Sequence, residues 1–68
     1  RHWNMKRIGR IELTILRIAA YEITQTDTPP KAAIDEALKL TRTLAGDNAV
    51  SFVNGVLDAL AKSQEQAS

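Results

Sequence analysis

Two consecutive prolines, Pro29 and Pro30, divide this chain into stretches that cannot form one continuous helix. Proline has no amide proton and its ring clashes with the preceding turn, so it is excluded from helix interiors. It also holds the residue before it extended, yet it suits the first position of a new helix. The segment TDTPP at 26–30 therefore reads as a stop followed by a start. Apolar residues on both sides follow helical spacing. Upstream, Ile8, Ile11, Ile15, Ile18 and Ala19, widened by Leu16, Ala20 and Ile23, predict a helix over about 10–25. Its opposite face carries Arg10, Thr14, Arg17 and Tyr21. Downstream, Ala33, Ile34, Ala37, Leu38, Leu40, Thr41 and Leu44 form the buried side of a second helix over about 30–45.

Gly46 stands where a left-handed helix end is wanted. Asp47 or Asn48 then caps a third helix over about 49–63, with Val50, Val53, Val56, Leu57 and Leu60 inward. Lys31 with Asp35, and Asp35 with Lys39, are spaced as i, i+4 ion pairs on the exposed side of the second helix. Gly9 separates the first helix from a short helical turn begun by Asn4, and the polar tail over 64–68 is expected to fray. The expected fold is all-α: one domain over 1–68, a compact bundle of three main helices plus a short N-terminal helical turn. Residues 1–9 form a basic lead-in.

A chain of 68 residues supports only a marginal core, and no cysteine is present to staple it. The lack of cysteine also excludes thiolate metal sites, and the lone His2 has no partner histidine, so neither metal nor cofactor is expected. No apolar run approaches the roughly 20 residues that span a bilayer. Residues 1–10 do not resemble a secretory signal either. A cytoplasmic location is the natural expectation. The chain begins at Arg1, without an initiator methionine, and reads as a piece of something longer or a processed product.

Charge is uneven. Arg1, Lys6, Arg7 and Arg10 give the first ten residues +4, whereas the remainder carries five bases against eight acids. A basic edge of this kind can lie along phosphates, with Arg7 and Arg10 as candidate contacts, or can simply be solvated. The net charge of +1 is far from that of a dedicated duplex binder. A helix-turn-helix reading fails on its own terms. The third helix would have to read bases, and its only basic residue is Lys62 at the far end.

No catalytic set is visible. There is no Gly-rich phosphate loop, no GxSxG elbow and no acid or hydroxyl partner for the histidine. Asp35 and Glu36 are adjacent, so a helix turns them apart; they are not a matched pair for acid–base work. An enzyme is not expected. Arg17 and Glu22 lie in a segment dense with Ile, Leu and Ala, which points either to pairing within the bundle or to contact with a partner. Phe52, in the first turn of the third helix, either packs on the first helix or stacks on an unpaired base. Gly55 sits inside the same helix, where glycine costs roughly 1 kcal/mol against alanine. A neighbouring backbone crossing close by is the simplest reason for it.

Three blocks, LRIAAYE at 16–22, AAIDEALKL at 32–40 and FVNGVLD at 52–58, come in order after Trp3, Arg7 and the Ile11-Glu12 pair. Together they resemble the C-terminal half of the NusB family of bacterial transcription antitermination factors, over roughly 3–62. The resemblance implies an all-α protein of two stacked helical subdomains, of which this chain is the second. It implies binding of the boxA element of nascent RNA together with NusE, a small-subunit ribosomal protein. The antitermination complex so formed helps RNA polymerase read through terminators, notably in ribosomal RNA operons. On this resemblance Glu12 falls where the family meets NusE, and Asn48, Ser51 and Phe52 fall near the RNA. Arg17, Tyr21, Glu22, Glu36, Asn54 and Asp58 match positions assigned to packing. The family's N-terminal helices and their Arg-rich start are missing, which implies weaker RNA binding by this piece alone. It also implies an exposed apolar face through which the chain can self-associate. The alternative is the related domain of rRNA cytosine-5 methyltransferases, which tend to carry Arg where this chain has Asp58. A third reading is a helical scaffold that binds protein only.

Overall fold

The computed structural model of the protein describes residues 9–67 and contains three helices. These are α1 (Arg10–Gln25), α2 (Pro30–Leu44) and α3 (Asp47–Ala67). Helix α1 follows Gly9, whose backbone is extended, and stops at Thr26, which is extended too. The Thr26 hydroxyl donates to the Glu22 carbonyl at 2.6 Å and accepts the Thr28 amide at 3.1 Å, so a side chain supplies the partners that the ended helix leaves open. Pro29 then takes the cap position and Pro30 the first helical one, where a missing amide proton costs nothing. Helix α2 ends at Leu44 with Ala45 as its cap, and the chain turns at Gly46, whose φ of +97° is open to glycine and strained for other residues. The amides of Ala45 and Gly46 both return to the Thr41 carbonyl, at 2.8 and 3.0 Å.

Each helix packs on both others. The core is one stripe per helix: Ile15, Ala19 and Ile23 from α1; Ala33, Ile34, Ala37 and Thr41 from α2; Val53 and Leu57 from α3. Leu16, Leu38, Phe52, Leu60 and Ala61 pack against its edge. Thr41 is a fully buried polar residue, satisfied because its hydroxyl donates to the Ala37 carbonyl at 2.7 Å. Two of the buried α2 positions are alanines, Ala33 and Ala37, so α2 gives the core little side-chain volume.

That narrowness corrects the sequence reading. Ile11, Ile18, Leu40, Leu44 and Val56 were expected inward and are exposed. Three helices cover only part of each helix's circumference, so residues one step around from the contact line stay outside. Two further corrections concern α3. It begins at Asp47, two residues early, because Gly46 already supplies the break and Asp47 turns sideways to an Arg42 side chain. It also continues to Ala67, four residues beyond the expected end. No glycine or proline follows Gly55, and SQEQA is compatible with helix. Gly55 itself is exposed, and a Cβ there would meet nothing within 4 Å, so no close backbone crossing explains it. Asp35 pairs with Lys31 at 3.5 Å and not with Lys39. The turn expected at Asn4 lies outside the described residues.

Candidate nucleic-acid interface

The connections dictate which residues meet. Helices α1 and α2 are joined by the short proline turn and α2 and α3 by Ala45–Gly46, so α1 and α3 both begin at the end where α2 finishes. Arg10 and Leu44 accordingly line one groove. Arg10, Glu12, Asn48, Ser51 and Phe52, from separate parts of the sequence, share this end of the bundle. Two helix N-termini add their partial positive charge there.

Within this end, Asn48 and Ser51 are exposed on the first turns of α3. Phe52 is half-buried: it packs on the core edge and also lines the outer face of α3 with Ser51, Gly55, Val56 and Ala59. Its two sequence readings are thus compatible, since a ring anchored on one side can present the other. Arg10 is exposed at the first position of α1. Arg7 lies outside the described residues. The Arg42 Nε donates to Asp47 Oδ1 at 3.1 Å, an exposed pair that straddles the Gly46 turn and neutralises the acid nearest Asn48.

Glu12 is half-buried, and its carboxylate occupies the place that a Cβ on Gly9 would take. It therefore folds back over the start of α1, where an acid is favoured by the helix dipole. This back-folding was not readable from the sequence, although Gly9 followed three residues later by Glu12 is its trace. The packing positions separate. Glu22 and Asn54 are half-buried, but Arg17, Tyr21, Glu36 and Asp58 are exposed, so their expected packing is not made among the described residues. Arg17 forms no ion pair with Glu22. Among the described residues no group of three or more His, Asp or Glu could hold a metal ion. No described helix is long and apolar enough to cross a membrane.

Compared with known proteins, residues 1–62 match the model of the NusB family. The chain belongs to the NusB family. The transcription antitermination protein NusB of Desulfovibrio desulfuricans is 54% identical over 65 residues, which are 94% of this chain and 40% of that protein. The NusB of a Nitratiruptor species is 46% identical over 66 residues, covering 97% of this chain and 48% of the relative. That of Campylobacter jejuni is 50% identical over 58 residues, 85% of this chain and 44% of the relative. This NusB-family chain thus spans less than half the length of the curated relatives it matches. All three relatives carry the antitermination name, so the methyltransferase alternative gains no support from them. No solved structure matches.

Proposed function

We propose that this chain is the RNA- and NusE-binding helical module of a bacterial antitermination factor. It would act in the cytoplasm, in the antitermination complex that carries RNA polymerase through ribosomal RNA operons. The observation that carries the reading is convergence. The residues that the family resemblance assigns to RNA (Asn48, Ser51, Phe52), a basic residue (Arg10) and the NusE candidate Glu12 share one end of the bundle.

Each has a distinct part. Phe52, held from behind by the core edge, offers a ring face on which an unpaired base stacks. Asn48 and Ser51 supply side-chain donors and acceptors beside it, sequence-tolerant toward phosphate and sugar or selective toward a base edge. Arg10 and the amide ends of α1 and α3 attract the backbone, and Arg7 extends that attraction along the strand. Glu12 meets NusE by swinging away from Gly9. RNA and protein then share adjoining surfaces, so each stabilises the other's docking. The reading is tested by titrating boxA RNA with and without NusE over a range of salt. It expects tighter binding with NusE present and affinity that falls with salt. Binding of NusE that ignores added RNA would instead support the protein-only scaffold.

A further inference from the structure

Asn54 and Gly55 stand side by side within α3. Of the asparagines Asn4, Asn48 and Asn54, only Asn54 precedes a glycine. That order brings a chemistry of its own. The Gly55 backbone nitrogen can reach the carboxamide carbon of Asn54, and no Cβ on residue 55 hinders the approach. Two properties of the helix oppose it. In an α-helix the amide of residue 55 donates to the carbonyl of residue 51. The attack also needs an Asn54 ψ far from the helical value of about −42°. Asn54 is further held half-buried beside Ile34 and Leu38 at the α2–α3 groove. Gly55, by contrast, is exposed, and a Cβ there would meet nothing within 4 Å. Only the helix itself guards its amide.

We infer that Asn54 is a self-modification site that α3 keeps closed, and that the asparagine deamidates through its own backbone when the helix opens. The Gly55 nitrogen forms a bond to Asn54 Cγ and gives up its proton. The Cγ–Nδ2 bond breaks and ammonia leaves, so a cyclic imide remains. Water then opens the imide on one side or the other, to aspartate or isoaspartate. The net change is water in and ammonia out, with no oxidant or cofactor. Either product places a new carboxylate in the groove that Asp35 and Asp58 also line. Lys62 lines it too, but Lys31 is already paired with Asp35. The new acid and Asp58 are like charges at i, i+4, which oppose the helix. Isoaspartate also adds a methylene to the backbone, so the hydrogen-bond ladder cannot close across it. Opening of α3 thus becomes one-way.

Peptide mapping by mass spectrometry tests this on the chain kept in mildly alkaline buffer, with and without denaturing urea. Circular dichroism of the same samples reports the helix. In urea, Asn54 should deamidate well ahead of Asn48. In buffer, its rate should fall at least about tenfold, because it follows the fraction of chains with α3 open. Gly55→Ala in urea should slow the reaction about tenfold, since a Cβ now crowds the attacking nitrogen. Leu57→Ala, which loosens α3 from the core, should bring the rate in buffer toward that in urea. Deamidated chain, separated by ion exchange and returned to buffer, should hold less helix than the unmodified chain. Equal Asn54 rates in buffer and urea overturn the inference, as does a Gly55→Ala chain that reacts as fast in urea. Full recovery of helix by the deamidated chain overturns the one-way step.

Discussion

Ile15 and Ile18 lie three residues apart on one helix, yet Ile15 is 4% exposed and Ile18 is 52%. The same contrast holds on α2, between Ala37 and Leu40, and on α3, between Val53 and Val56. In every case the smaller or equal side chain is inside and an apolar neighbour one step around the helix is outside. A three-helix bundle of this size can bury one stripe per helix, and these helices carry wider stripes than that. The inner stripe serves folding. The outer stripe takes no part in the core of the described residues. The end of the bundle where α1 and α3 begin differs from both, since it adds polar, charged and aromatic side chains (Arg10, Glu12, Asn48, Ser51 and Phe52) to the aliphatic ones.

This contrast can be broken by substitution. Leu57→Ala, inside the core, should destabilise the chain by about 2–5 kcal/mol, enough to unfold most of it in a urea titration. Phe52→Ala should cost about 1–3 kcal/mol of RNA affinity if the ring stacks on a base. Because Phe52 also packs on the core edge, its melting curve must be recorded beside the binding curve; a loss of stability without a loss of affinity removes it from the RNA site. Gly46→Ala forces a left-handed backbone on alanine and should cost about 1–2 kcal/mol by thermal melting. Gly55→Ala should do the reverse and stabilise by about 0.5–1 kcal/mol, since its Cβ meets open space. Ile18→Ser, outside the core, should change monomer stability by no more than about 0.5 kcal/mol. A large loss there would mean that inner and outer stripes are one core.

The sequence carried the helices and both connections because each rests on local chemistry. Pro29-Pro30 can only stop one helix and start the next, and Gly46 can hold a positive φ cheaply. What periodicity could not supply was the angular position of the contact line. An apolar stripe covering Ile11, Ile15 and Ile18 has several possible centres, and the choice depends on how closely neighbouring helices approach. Side-chain detours were hidden for the same reason: Asp47 reaches Arg42 instead of capping α3, and Glu12 folds over Gly9. Of the candidate site, Asn48 and Ser51 were assigned through family resemblance alone, whereas Phe52 was also a candidate from its place in the first turn of α3. Their meeting with Arg10 and Glu12 at one end came from the topology.

The most direct test is fluorescence anisotropy of labelled boxA RNA titrated with the protein and NusE together at several salt concentrations, comparing the unmodified chain with Phe52→Ala. The account predicts binding strengthened by NusE, a logarithmic affinity that falls linearly with logarithmic salt, and a Phe52→Ala curve displaced to about 5–150-fold weaker affinity. Equal affinity for boxA and an unrelated RNA, or a Phe52→Ala curve that overlays the original, would contradict it.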